Sequence, residues 1–148
     1  MPKPAKIMLI EDDPLLVNLY DKAFKNAGYE VEIAFNGREG LEKLISGAQK
    51  PLLILSDVMM PEMDGLELLR KIKENPGLKD IPFVFLTNLS EEEDVDRGIE
   101  LGAVTYLVKS QYTPKEIVGK IRELLAAYEE KVPEVLTEIK DIGPKKGT

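Results

Sequence analysis

The chain of 148 residues contains no cysteine. Disulfides, thiolate nucleophiles and zinc–sulfur centres are thereby excluded. It contains no histidine either, so imidazole is missing as general base, metal ligand and phosphoryl carrier. Group transfer must run on Asp, Glu, Lys, Ser, Thr or Tyr. Any metal must be held by oxygen, which favours a hard cation such as Mg²⁺. No apolar run approaches the length of a membrane span. The opening MPKPAK lacks the apolar stretch of a secretory signal, so a cytoplasmic protein with no membrane partner is expected. A dense Lys/Arg block is also missing. Twenty basic residues stand against 27 acidic ones, for a net charge of −7. Direct nucleic-acid binding, which rests on neutralising phosphates, is not expected.

What is present is a globular composition, 43% hydrophobic and 32% charged, in a length that suits one domain with a real core. Strand and helix signals alternate. Lys6 to Ile10 reads as a strand, and Asp13-Pro14 as a helix cap followed by proline at the first helical position. The helix carries Leu15, Leu16, Tyr20 and Phe24 and stops near Gly28. Tyr29 to Phe35 is the second strand. Asn36 to Glu39 is a cap with a glutamate three residues on, opening a helix through Leu41, Leu44 and Ile45. Leu52 to Leu55 is a third strand, apolar on both faces as in a parallel sheet. Asp64 caps a helix through Leu66, Leu68, Leu69 and Ile72, and Ile81 to Leu86 is strand four. Ser90 to Glu93 reads as a capping box for a helix through Val95 and Ile99 to Gly102. Thr105 to Val108 is strand five. Thr113 and Glu116 then box a last helix whose stripe is Ile117, Ile121, Leu124, Leu125 and Tyr128.

Five βα units imply an α/β fold, a doubly wound parallel sheet with helices on both faces. The reading gives one domain over residues 1–130 and a short amphipathic helical tail or linker over 131–148, with Val132, Val135, Leu136 and Ile139 at helical spacing. No DNA-binding or catalytic output domain fits after the last helix, so output by protein contact is expected unless the chain is a fragment.

In open α/β sheets, ligands sit beyond the carboxyl ends of the strands. Here four strands end in Glu11-Asp12-Asp13, Asp57, Thr87 and Lys109. Gathered carboxylates repel one another unless a cation intervenes. A divalent ion and Lys109 would satisfy them, and Thr87 adds a hydroxyl. That set suits a phosphoryl group, with a carboxylate accepting it as an acyl phosphate. Asp57, the lone acid ending the central strand, is the best acceptor. With no histidine in the chain, the donor must come from elsewhere. Taken singly, each residue has a plainer reading: Lys109 as a solvated charge, Thr87 as a strand former, Tyr106 as strand packing. Likewise Met59, Met60 and Met63 read as gap fillers, and Glu91 to Asp94 as a favourable acidic first helical turn.

The stretches KIMLIEDDPLL, LILSDVMMPEMDGLELL, VFLTN and TYLVKS resemble, in order and spacing, the signature stretches of response-regulator receiver domains. The resemblance runs from about Lys6 to Tyr128. It implies a flavodoxin-like sheet of order 2-1-3-4-5. It also implies that Asp57 takes a phosphoryl group from a sensor histidine kinase or histidine phosphotransfer protein. By the same resemblance Asp12 and Asp57 hold Mg²⁺, Glu11 contributes directly or through water, and the Met59 carbonyl completes the protein ligands. Lys109 bridges to the phosphoryl oxygen, Thr87 binds another, and Tyr106 swings inward when Thr87 moves. The output surface is the last helix, the fifth strand and the helix before it, presented to a downstream protein, with homodimerisation left open. Such a switch is not an enzyme beyond its own phosphorylation and slow dephosphorylation. Among residues 11 to 13, Glu11 and Asp12 are favoured for the metal and Asp13 for the cap.

Two departures stand out. Receivers usually have proline after the lysine, in cis, where Ser110 stands here. A non-proline cis bond costs about 2.5–4 kcal/mol, so trans is expected. Asn88 replaces a small residue after the threonine. These departures are the only support for a constitutive interaction module that has lost switching. An aspartyl phosphohydrolase would need a second acid two residues past Asp57, where Met59 stands. A dinucleotide-binding reading lacks the G-x-G-x-x-G turn.

Overall fold

A computed structural model describes residues 5–130 of the protein. The chain alternates β1 (Lys6–Ile10), α1 (Pro14–Asn26), β2 (Glu30–Ala34), α2 (Gly37–Ser46), β3 (Leu53–Asp57), α3 (Gly65–Lys73), β4 (Phe83–Thr87), α4 (Glu92–Leu101), β5 (Thr105–Val108) and α5 (Pro114–Glu130). All strands pair in parallel, in the order β2-β1-β3-β4-β5. The tail expected over residues 131–148 lies outside the described residues.

Strand alternation sorts the core into two layers. Ile7, Leu9, Leu53, Leu55, Val84, Leu86 and Leu107 face α1 and α5, whose Val17, Tyr20, Phe24, Ile117, Ile121 and Leu124 cover them. Met8, Ile10, Ile54, Phe83 and Phe85 face the other way, under Leu44 of α2 and Leu68, Leu69 and Ile72 of α3. Central strands buried on both faces need apolar side chains at every position, and β1, β3 and β4 have them over most of their length. Burying each such side chain contributes about 1.5–3 kcal/mol.

Helix starts follow local chemistry. Asp13 Oδ1 accepts the Leu15 N–H at 2.9 Å, with Pro14 at the first helical position. Asn36 and Asp64 accept from the N–H groups of Glu39 and Glu67 at 2.8 and 2.9 Å. Thr113 and Glu116 form a reciprocal box at 3.0 and 3.1 Å, and Tyr112 and Ile117 are both buried. Gly102 closes α4 in the left-handed region, at φ 115°. Among the described residues no peptide bond is cis, so Lys109–Ser110 is trans as expected.

Several expectations need correction. Ser90 does not cap α4. It lies inside a 3₁₀ turn, Leu89–Glu91, and α4 begins at Glu92 without a side-chain cap. Leu52 precedes β3 and is exposed, while the strand runs on to Asp57. Leu15, Ile45 and Ile99 are exposed because the apolar spacing along their helices is wider than the stripe the sheet can cover. Met59 fills no gap, since its side chain is exposed.

Candidate functional site

The same alternation decides which polar groups meet beyond the sheet. Asp57 continues the series Leu53, Leu55 on the α1/α5 side, and Lys109, first residue of the 3₁₀ turn after β5, reaches it. Glu11 follows Ile7 and Leu9, and its N–H still donates to Ala34 O at 3.1 Å, one step past β1. Lys109 Nζ lies 2.7 Å from Glu11 Oε1 and 3.0 Å from Asp57 Oδ1. Glu11 Oε2 accepts the Asp13 N–H at 3.0 Å, and Asp57 Oδ1 accepts the N–H of Val58 at 3.1 Å. Glu11 and Asp57 are buried and Asp12 is exposed. One carboxylate oxygen from each of these three acids lies within 4.8 Å of the others. Asp13 is occupied as the helix cap.

Electrostatics at this corner are unbalanced. Three carboxylates face one ammonium. Burial, then the charge of Glu11, pushes the Asp57 carboxyl up to about 8, although Lys109 opposes the shift. Burial pulls the Lys109 ammonium down, but its hydrogen bond to Glu11 and the charges of Asp57 and Glu11 outweigh that and leave it raised. A buried acid held this far from its ordinary value marks a place where a further positive charge is welcome. The donor set fits a hard divalent cation. The oxygens span little more than two Mg–O bonds of about 2.0–2.1 Å, and Asp12 keeps one side open to water.

Close approach of the next helix shapes the floor. Gly65 N–H donates to Val58 O at 2.7 Å. A Cβ at Gly65 would collide with the Asp57 carbonyl oxygen. Glycine there lets α3 start directly behind the acid. Met59 lies in this loop, two residues past Asp57.

Thr87 ends β4, the strand beside β3. It continues the series Phe83, Phe85 on the opposite side of the sheet. Its hydroxyl is 3.0 Å from Asn88 O and 3.3 Å from Glu91 Oε2. Asn88 Nδ2 donates to Glu91 Oε1 at 3.0 Å. Tyr106, paired in register with Phe85, is half-buried on the same side. Burial raises its phenol, and the nearby charges of Asp96 and Glu92 add to that. Thus Glu11, Asp12, Asp57 and Lys109 come together, whereas Thr87 meets Asn88 and Glu91 and Tyr106 lies near Glu92 and Asp96 of α4.

Sequence reasoning missed two residues. Tyr20 on α1 is buried, and its phenol is raised first by burial, with Lys109, Glu11 and Asp57 all acting on it. No signal distinguished it from an ordinary stripe residue. Glu91 read as one of four first-turn acids, yet it is buried and turned back to Thr87. Its spacing of four from Thr87 was the available signal.

The response regulator receiver domain family matches residues 7–122. The chain belongs to that family. The alkaline phosphatase synthesis transcriptional regulatory protein PhoP of Bacillus subtilis is 33% identical over 128 residues, covering 86% of this chain and 51% of PhoP. The chemotaxis response regulator CheY4 of Vibrio cholerae superposes with TM-score 0.72 at 31% identity, over 82% of this chain and 98% of that one. The phosphorylated cyanobacterial phytochrome response regulator RcpA superposes with TM-score 0.75 at 32% identity, over 84% and 96%. The receiver fold with order 2-1-3-4-5 is shared with these neighbours. This chain spans about half the length of the curated relatives it matches. Among the described residues of this receiver, no helix is long and apolar enough to cross a membrane.

Proposed function

We propose that this receiver is a phosphoryl-accepting switch of two-component signalling, with Asp57 as acceptor. The supporting observation is the ion-paired triangle of Glu11, Asp57 and Lys109, with Asp12 on its rim. Glu11, Asp12 and Asp57, with the carbonyl of Met59, are the groups that would hold Mg²⁺. The cation would supply charge neutralisation on the transferring phosphoryl oxygens and keep Asp57 ionised at neutral pH.

An Asp57 carboxylate oxygen attacks the phosphorus of a partner phosphohistidine. The P–N bond breaks as the P–O bond forms, and the departing imidazole takes its proton from solvent. Lys109, freed from one carboxylate oxygen, turns to a phosphoryl oxygen. Water later attacks the phosphorus, returning the carboxylate and inorganic phosphate. The chain turns over no separate substrate. A sensor histidine kinase or histidine phosphotransfer protein supplies the group. Thr87 then takes up another phosphoryl oxygen, Tyr106 turns inward, and the surface of α4, β5 and α5 is remodelled for a downstream protein, as a monomer or as a homodimer in the cytoplasm. RcpA, a phosphorylated response regulator of the same fold, is consistent with this reading. Ser110 leaves Lys109 in reach of Asp57, so the departure does not favour an unswitched module.

Incubation with Mg²⁺ and a small acyl phosphate tests the proposal. Intact mass is expected to rise by one phosphoryl group, and to stay unchanged for Asp57→Asn. No adduct on the parent protein, or an equal rate in the variant, would overturn it.

A further inference from the structure

The acceptor chemistry uses Glu11 and Asp57 but leaves a third buried carboxylate idle. Glu91 is 8% exposed and sits in the 3₁₀ turn between β4 and α4. A buried carboxylate requires donors. Glu91 has two from side chains: Asn88 Nδ2 at 3.0 Å, and the Thr87 hydroxyl at 3.3 Å. Neither donor is a cation. The Thr87 hydroxyl has one proton, and both acceptors within reach of it, Asn88 O and Glu91 Oε2, lie on the α4 side. To bond a phosphoryl oxygen on Asp57 that proton must leave Glu91 and Asn88 O.

We propose that Glu91 is a positioning residue that holds the Thr87 hydroxyl away from Asp57, so that releasing it is part of the cost of binding a phosphoryl group. The inference rests on the reading of Asp57 as acceptor. Physically, the Thr87 proton is contested by two anions. Glu91 adds an anionic acceptor beside the closer Asn88 carbonyl, and both favour the resting arrangement. A phosphoryl group on Asp57 wins only by the difference in affinity between the two arrangements. Asn88 takes part as well, because its amide anchors the carboxylate that faces Thr87. A residue that departs from the usual small side chain thereby gains a role.

The test is titration with beryllofluoride, a phosphoryl mimic, in the presence of Mg²⁺, followed by calorimetry. The proteins are the parent chain, Glu91→Ala, Glu91→Gln, Thr87→Ala and the Thr87→Ala/Glu91→Ala double variant. Glu93→Ala, an exposed first-turn acid, controls for the loss of one negative charge. Glu91→Ala is expected to bind the mimic about three- to tenfold more tightly, the size of one net hydrogen bond. In the Thr87→Ala background the same change is expected to have no effect, because the contested proton is gone. Glu91→Gln preserves shape and keeps a neutral acceptor, so a smaller gain in the same direction is expected. It also covers the case in which alanine perturbs the turn. In the mimic-free state the Thr87 methyl resonance of Glu91→Gln is expected to move part-way toward its position in the bound parent protein. Unchanged or weaker binding by both Glu91 variants overturns the inference. So does an equal gain in the Thr87→Ala background or in Glu93→Ala. If the parent chain itself shows no Mg²⁺-dependent binding, the acceptor reading has failed, and this inference with it.

Discussion

Glu11 and Glu91 are both buried glutamates at the carboxyl edge of one sheet, and they live in different company. Glu11 is met by an ammonium at 2.7 Å and a backbone N–H at 3.0 Å. Among the described residues, Glu91 is met by an amide and a hydroxyl. Side-chain alternation accounts for the split. Asp57 shares the parity of Glu11, Lys109 reaches both from the turn after β5, and Thr87 has the opposite parity. The first nest gathers charge. The second gathers neutral donors.

Removing Lys109 should separate the two nests most sharply. In Lys109→Ala, Glu11 and Asp57 face each other without a cation. A loss on the order of 3 kcal/mol at pH 8 is expected from urea unfolding, because one partner of a buried pair is gone. The loss should shrink at pH 5, where Asp57 carries its proton. An equal loss at both pH values would break the comparison.

Next in size is Asp57→Asn. The Asp57 carboxyl is pushed up from 3.8 to about 8, so the folded state holds its proton more tightly than the unfolded chain does. Its contribution to stability is therefore complete below the unfolded value and lost as pH rises through the folded one. In the absence of Mg²⁺, stability of the parent chain should fall between about pH 4 and pH 8 by a few kcal/mol, since each tenfold difference in proton affinity is worth about 1.4 kcal/mol. Asp57→Asn should lack that fall and be the more stable protein at pH 8. Mg²⁺ should restore the parent chain more at pH 8 than at pH 5. Parallel pH profiles for the two proteins would contradict the electrostatic picture.

A smaller effect distinguishes neighbours within the first nest. Asp12→Ala should weaken Mg²⁺ binding at least about tenfold with little change in stability, the usual scale for an exposed acid that serves as a ligand. Asp13→Ala should cost about 1 kcal/mol through the lost helix cap and leave Mg²⁺ affinity unchanged. Calorimetric titration and thermal unfolding of both variants check the assignment. The reverse pattern would exchange their roles.

Much of this was legible in the sequence where the chemistry is local. Asp13, Asn36, Asp64 and Thr113 each cap the next helix through a hydrogen bond to an N–H two or three residues on. Strand ends carrying Glu11, Asp57 and Lys109 were legible together, because polar groups closing several strands of one parallel sheet meet at the same edge. Less was legible where long-range geometry overrides a local pattern. The Ser90 box failed because the chain winds a 3₁₀ turn first, and Glu91 spends its carboxylate on Thr87 and Asn88. That Thr87 and Asp57 sit on opposite sides of the sheet follows from residue parity once the register Asp57↔Leu86 is known. Register between strands separated by a helix is set by packing, and no short motif announces it.

The central claim, that Asp57 is the group that becomes phosphorylated, is tested most directly by chemical trapping. The protein is treated with Mg²⁺ and a small acyl phosphate, then reduced with borohydride, which converts an acyl phosphate to an alcohol. Peptide mass spectrometry should find the reduced side chain at residue 57 and at no other acid, Glu11, Asp12 and Asp13 included. Reduction at a different carboxyl, or none in a protein that has taken up phosphate, would contradict it.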